Sequence, residues 1–441
     1  MLVTQQRLAR PKLKRALRGV RKLYKGSIRS FSCDQVAKVA LSTTVQAGGS
    51  SPAARALPKP ALCVRASMDS AKASAAPKKS VAVIGAGIIG ASIAKNLSSQ
   101  NCDVTVLEIH SKPAQEATGK SWAWLNANRK EPAHYKELNA RSMREWQKLP
   151  GLAEFPGTLY LGDQRDNDPR YPSQKLTQAE ALERQPGLSA EAAAGGAVLY
   201  AQEGFASAPD ATEAFLREAQ SNGAHVHYSQ EAIDFTTDAD NQLTGVRTAH
   251  QEYPADVVVL ASGIKTPALA SKLGVQVPLE NKPGTVNILS GKLPPLLKHI
   301  LVTDEAFLMQ RKDGRVLISF YKGVHANPSA LNVPEEPSPE QFAKVGKEAL
   351  EQALLIFPEL KQASEAPQVI VGRYPYPVDA MPILGPTKAH PNLYIATMHS
   401  GATLGPIVGQ LVAQEISQGL QLEDLDPYRP HRDFGDLSHL Y

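Results

Sequence analysis

Residues 80–108 constrain this chain more than any other stretch. Val81-Ala-Val-Ile84 is a short apolar run with polar residues before it and glycine after it, the pattern of a buried parallel strand. The loop Gly85-Ala86-Gly87-Ile88-Ile89-Gly90 follows at once, then helical character from Gly90 to Ser98, then a second strand at Val104–Leu107. Each glycine of this G-x-G-x-x-G loop has its own reason. Gly85 allows a tight turn, Gly87 lets the backbone approach a pyrophosphate, and Gly90 lets the helix pack closely on the strand. The N–H groups that open the helix, and the positive end of its dipole, then face an anion. Glu108 closes the second strand eighteen residues past Gly90, where a carboxylate accepts hydrogen bonds from ribose hydroxyls and disfavours a 2′-phosphate. The unit predicts a dinucleotide site for FAD or NAD rather than NADP.

Further along, helical spacing at His134–Lys148 follows a Trp-rich stretch at 121–128, and Gly157–Gly162 reads as a strand. Asp210–Asn222 is a helix closed by Gly223, with strands at His225–Tyr228 and Asp256–Ala261. Residues 285–325 are mostly extended, 338–356 form a helix bounded by prolines, and 393–418 read strand, loop, helix. Nucleotide-fold signals therefore recur in separated segments, with extended material between them. The fold class expected is α/β, a Rossmann-type domain with an interleaved α+β domain on an antiparallel sheet.

The net charge of +5 suggests a nucleic-acid binder only until it is divided along the chain. Residues 1–79 hold seventeen Lys/Arg against two acids, and the remainder holds 31 bases against 41 acids. The first thirty-three residues have ten bases and no acid and lead into a Ser-, Ala- and Thr-rich stretch, the composition of an organelle transit peptide. Val64-Arg65-Ala66 resembles a plastid cleavage step, so residues 1–66 are expected to be a chloroplast leader, with the mitochondrion as alternative, and 67–79 a linker. No nucleic-acid partner is expected. The longest near-apolar run, Val81–Ala94, has fourteen residues with three glycines and a serine, short of the ~18 that argue for a membrane span. Cys33, Cys63 and Cys102 are too few for a disulfide scaffold and lack zinc-ligand spacing, so no metal is expected.

Three further segments carry a family resemblance. Ala117-Thr118-Gly-Lys120-Ser121-Trp122-Ala-Trp124-Leu-Asn126 looks like a Ser/Thr-rich turn that follows the acid, binds pyrophosphate and approaches a flavin. Ala255-Asp-Val-Val-Val-Leu-Ala-Ser262-Gly263 looks like a strand and small-residue turn over the cofactor. Gly372-Arg373-Tyr-Pro-Tyr-Pro-Val-Asp-Ala-Met-Pro-Ile-Leu-Gly385, with Asn392–Gly401 after it, is similar to a closing signature. Together, over about residues 80–420, they resemble the D-amino-acid oxidase superfamily of FAD-dependent amine and amino-acid oxidoreductases, including its glycine oxidase and sarcosine oxidase members.

The resemblance implies FAD on Gly85, Ala86, Gly87, Ile88, Ile89, Gly90, Glu108, Thr118, Lys120, Ser121, Trp122, Trp124, Ala232, Ser262, Gly263 and the run His399-Ser400-Gly401-Ala402-Thr403. It also implies FAD-binding segments at 80–150, 207–280 and 372–441, with substrate-domain segments at 151–206 and 281–371. Some sarcosine-oxidase relatives need a cysteine in the C-terminal half for a covalent flavin link, and this chain has none beyond Cys102, so FAD is expected to be non-covalent. Met398 departs from the usual glycine before His-Ser-Gly, and the loop after Gly401 is shorter than common versions. Pro406 at a helix first turn would aim that helix N-terminus, with the N–H groups of Ala402 and Thr403, at the flavin pyrimidine edge.

Arg373 falls at the family's carboxylate-binding arginine, whose fork clamps a carboxylate through two bonds; an interdomain ion pair is the alternative. Tyr321 is a candidate second donor to that carboxylate and Lys322 a candidate promoter of dioxygen reduction. His399 reads as bonded within its loop before it reads as an acid or base. Trp122 and Trp124, on one side of an extended segment, wall the flavin or fill the core. The expected activity is oxidation of a small amine or amino acid, with hydride transfer from the α-carbon to flavin N5 giving imine and hydrogen peroxide. The alternatives are a dehydrogenase passing electrons to a quinone or other carrier in place of dioxygen, and an FAD-containing assembly factor without turnover.

Overall fold

A computed structural model describes residues 78–162, 168–240, 242–280, 285–304, 306–320, 338–363 and 367–438. The leader 1–66, most of the linker, and Tyr321 and Lys322 lie outside the described residues.

A six-stranded sheet runs in the order Ile383–Pro386, Leu393–Thr397, Val257–Leu260, Ser80–Ile84, Asp103–Leu107, His225–His227. All neighbours are parallel except the first pair. The strand Ser80–Ile84 lies near its centre, which explains its unbroken apolar run: alternate side chains point to opposite faces, and both faces are covered. Val81 and Val83 join a core with the helices Ile88–Ser99, Ala208–Ser221 and Gly401–Gln418. Ala82 and Ile84 face the other way, onto Phe235, Leu243 and Val246 of a small antiparallel sheet and onto the short helix Thr266–Ser271.

The second large sheet has eight strands in the order Gln368–Gly372, Thr285–Lys292, Arg315–Phe320, Ala306–Gln310, Ile300–Val302, Thr158–Leu161, Ala197–Tyr200, Gln174–Leu176. It is antiparallel apart from one parallel pair, Ile300–Val302 against Thr158–Leu161. The same two-residue alternation divides its faces. Leu308 packs with Leu159, Ile318, Ala353 and Phe357 under the helix Pro339–Ile356, whereas Phe307 and Met309 join the core shared with the first sheet. This alternation delivers Phe307 to the tryptophans described below.

Residues 401–406 differ from expectation. They are not a loop leading to a helix at Pro406; the helix begins at Gly401, with Ser400 as its cap residue and Pro406 inside it. A proline there removes the N–H that would bond the Ala402 carbonyl, which ordinarily disfavours such a position. Here the indole Nε1 of Trp146, from the helix Ala133–Gln147, donates to the Ala402 carbonyl at 3.0 Å and the Thr403 carbonyl at 3.1 Å. A distant side chain supplies the bond that the proline cannot.

Candidate functional site

A cavity of about 930 Å³ runs from the glycine loop to the start of the helix Gly401–Gln418. At one end the loop is close-packed. Gly85 has φ +104°, and a Cβ on it would stand 2.7 Å from the Ala261 carbonyl oxygen. A Cβ on Gly90 would stand 1.9 Å from the Gly85 carbonyl oxygen, so strand, turn and helix meet backbone to backbone. Gly87 differs: its Cβ would meet only Thr118 Oγ1, at 3.2 Å. Gly85, Gly87, Ile88 and Ile89 line the cavity, whereas Ala86 and Gly90 are buried behind it, so these two act on the loop's shape and make no cavity wall.

The buried Glu108 carboxylate accepts from the N–H of Ala86 at 2.7 Å and from the N–H of His110 at 2.9 Å. Both oxygens are thereby oriented, with lone pairs left for hydroxyls in the cavity it lines. Thr118 Oγ1 accepts from the Ile88 N–H at 3.1 Å, which leaves its own O–H to donate. Ser121, Ala232, Ser262 and Gly263 also line the cavity, as does Lys120, which pairs with Glu116 at 3.0 Å.

The far end is aromatic and cationic. Trp122 and Trp124 stand edge to face at 6.4 Å and flank Phe307 at 4.5 and 5.5 Å. They share a side, though not through extended alternation, since Ala123 between them has φ +51°. Trp124 is anchored by Nε1 donating to Thr158 Oγ1 at 3.2 Å, and its carbonyl accepts from Thr403 Oγ1 at 2.9 Å. Gly401, Ala402 and Thr403 open the helix onto the cavity, so its unpaired N–H groups face inward through Gly401 and not through Pro406. Met398 and Ser400 line the same end. His399 is held between the rings of Tyr374 and Tyr376 at 4.8 and 4.9 Å. Arg373, delivered at the end of the strand Gln368–Gly372, lines the cavity beside them.

Lys130, Tyr374 and Tyr376 also line this end; the two tyrosines fall within the closing signature that starts at Gly372, whereas no motif in the sequence singles out Lys130. The Lys130 ammonium donates to Ser400 Oγ at 3.0 Å, and burial lowers its pKa to about 8 although Glu203 opposes the shift. Glu203, fully buried, is pushed up to about 7 by burial despite a hydrogen bond from Tyr171 at 2.7 Å. The local cue for Lys130 was its place two residues after the extended Trp-rich stretch; its partner Ser400 lies 270 positions away, beyond any pattern window.

A sequence model described as FAD dependent oxidoreductase matches residues 80–415. The chain belongs to this FAD dependent oxidoreductase family. A pyridine nucleotide-disulphide oxidoreductase model also matches residues 11–131, a range that includes the glycine loop. Glycine oxidase of Geobacillus kaustophilus is 26% identical over 388 residues, spanning 81% of this chain and 98% of that protein. The crystal structure of glycine oxidase from Bacillus cereus ATCC 14579 superposes with TM-score 0.66 at 25% identity, covering 81% of this chain and 100% of the other. L-proline dehydrogenase from P. horikoshii shares the fold, with TM-score 0.68 at 22% identity over 80% of this chain and 97% of that one.

The residues of this FAD dependent oxidoreductase fit the cofactor its family implies. Gly87 leaves its side of the loop open, the Glu108 carboxylate is pre-oriented, and two helix N-termini open on one cavity. Among the described residues no group of three His, Cys, Asp or Glu is placed to hold a metal ion, and no helix is long and apolar enough to cross a membrane.

Proposed function

We propose that this flavoprotein is an oxidase of a small amino acid or related amine that binds FAD non-covalently. One observation carries the reading: Arg373, Lys130 and the first turn of the helix Gly401–Gln418 place positive potential on the cavity wall, beside an aromatic cluster. When bound, FAD would supply the acceptor for a hydride from the amine-bearing carbon, leaving an imine and a proton, and dioxygen would be the final acceptor of the electron pair and two protons, giving hydrogen peroxide. Arg373 presents a planar fork to a substrate carboxylate and so sets where the α-carbon lies. Trp122, Trp124 and Phe307 exclude water from that wall, which strengthens every charge interaction there. The helix N–H groups at Gly401–Thr403 supply fixed donors to negative charge that develops during reaction.

Anaerobic incubation of the FAD-loaded protein with an amino-acid and amine panel, watched by flavin bleaching, tests this. Bleaching by an amino acid, followed by fast re-oxidation in air with one peroxide per turnover, is expected; fast re-oxidation only by a quinone would make it a dehydrogenase. Acid precipitation is expected to leave the yellow colour in the supernatant. For residues 1–66 we propose import into an organelle, the chloroplast first, motivated by ten bases and no acid in the first thirty-three residues. Sequencing the N-terminus from the native source is expected to start near residue 67, and an intact Met1 would refute it.

A further inference from the structure

The cavity is lined by charged residues of both signs. Its acidic lining residues are Glu108, Glu116 and Glu231. Glu108 holds two loop N–H groups, Glu116 pairs with Lys120 and with His110 at 3.0 Å each, and Glu231 pairs with Lys265 at 3.6 Å. Lys130 and Arg373 line the same cavity, which also takes in the start of the helix Gly401–Gln418. The two cations reach it from segments more than two hundred residues apart. They are linked around the wall: the Lys130 ammonium donates to Ser400, the adjacent His399 ring stands 4.8 Å from Tyr374, and Tyr374 is next to Arg373.

Lys130 is an unusual cation for its surroundings. It makes no ion pair among the described residues, and the charged group that influences it is Glu203, whose carboxyl burial raises to about 7 and which is therefore about half protonated near neutrality. It also stands at the positive end of a helix, where a second positive charge is unfavourable unless an anion shares the space. Ser400 Oγ receives a second hydrogen bond from the Tyr135 hydroxyl at 2.8 Å. With both its lone pairs taken, the Ser400 hydroxyl has its proton left to donate, and Ser400 lines the cavity. The Lys130 ammonium and the Ser400 hydroxyl thus stand together on the cavity wall as donors.

We propose that Lys130, with Ser400, is a second carboxylate anchor alongside Arg373, and that the substrate is an amino acid carrying two carboxylates, the second on its side chain or its N-substituent. This rests on the amino-acid reading above and narrows it. An amino acid with one carboxylate occupies one anchor and leaves the other donor cluster without its anion. A second carboxylate adds a charge-assisted hydrogen bond that the smaller substrate lacks.

The test compares holoenzyme with Lys130→Met and Lys130→Arg holoenzymes. Matched pairs, glycine with iminodiacetate and alanine with aspartate, are followed by anaerobic flavin bleaching, and acetate and malonate by perturbation of the flavin spectrum. The native enzyme is expected to favour the dicarboxylate at least tenfold in kcat/KM and to bind malonate at least tenfold more tightly than acetate. Lys130→Met is expected to lower the dicarboxylate values at least tenfold more than the monocarboxylate values, and Lys130→Arg to restore part of the difference. No preference in the native enzyme, or one that survives Lys130→Met, overturns the proposal. So does an equal loss for both members of a pair accompanied by a shifted flavin midpoint potential, which would assign Lys130 to the cofactor. If no amino acid bleaches the flavin, the amino-acid reading fails by itself, and the malonate-to-acetate ratio still decides Lys130.

Discussion

Gly87 and Gly90 lie three residues apart in one loop and are expected to fail in different ways when given a side chain. Gly90→Ala drives a methyl to 1.9 Å from the Gly85 carbonyl oxygen, and Gly85 cannot yield because it is wedged against Ala261. Helix and strand must separate, so the variant should be strongly destabilised or insoluble. A Cβ on Gly87 meets only the Thr118 hydroxyl within the protein, so Gly87→Ala should keep the apo fold, and Gly87→Val should lose FAD because its larger side chain fills the space left for a pyrophosphate. Circular dichroism melts of the apo-proteins, with flavin absorbance after reconstitution, separate the two outcomes. Normal FAD stoichiometry in Gly87→Val would remove the pyrophosphate from this loop. Arg373 is tested through kinetics. Losing one partner of a buried charge pair typically costs ~2–5 kcal/mol, so Arg373→Ala should lower kcat/KM for a carboxylate substrate by on the order of tens- to thousands-fold. Arg373→Lys should recover only part, since an ammonium keeps the charge but not the two-bond geometry. Indifference of turnover to both changes would return Arg373 to a structural role.

Among elements, the helix Gly401–Gln418 carries the most interdependence. Its N-terminus faces the cavity, its middle approaches the helix Ile88–Ser99 so closely that a Cβ on Gly409 would lie 2.1 Å from Ser92 Oγ, and its interior proline depends on Trp146. Trp146→Phe keeps the ring but removes the donor, which leaves the Ala402 and Thr403 carbonyls short of a partner in a buried place. Such a loss costs ~1–3 kcal/mol, so urea unfolding should show a lower midpoint by that measure, with weaker FAD retention because the first turn loosens. Adding Pro406→Ala to Trp146→Phe should recover part of the loss by restoring the helical N–H to the Ala402 carbonyl. If the double variant is no better than the single, the indole acts through packing alone. Further along, Glu415 ties the helix to the C-terminal segment. Its carboxylate takes Arg429 at 2.7 and 2.9 Å and the Tyr394 hydroxyl at 2.6 Å, all within the protein interior.

For the whole molecule, stability should depend on pH through Glu203. Its carboxyl is raised from about 4.5 unfolded to about 7 folded, mainly by burial. Between those values the folded protein holds a proton that the unfolded chain releases. The contribution is complete below about 4.5 and is lost as pH rises to about 7, an effect on the order of 3 kcal/mol at most. Unfolding free energies of the native protein should therefore fall relative to Glu203→Gln between pH 5 and pH 7.5, and parallel pH curves would show that Glu203 is not the titrating group. Lys130 stays out of that window, since its lowered pKa of about 8 acts above it. Much of the molecule was legible from local pattern. Short apolar runs, the glycine spacing and Glu108 are chemistry within thirty residues, where steric demand and burial on both faces leave few alternatives. The interleaving of two sheets followed from where those runs recur. What local pattern could not decide were the relations set by distant packing. Pro406 signals a helix start by itself, and only the Trp146 indole, 260 positions away, permits the helix to begin at Gly401. Trp122 and Trp124 share a face because Ala123 turns left-handed against Phe307, not because a strand alternates. Lys130 has no motif around it, and its character comes from Ser400, Tyr135 and Glu203, brought to it by three different elements. A loop's shape is set by its own backbone sterics, whereas the charge of a side chain is set by whatever the fold packs against it.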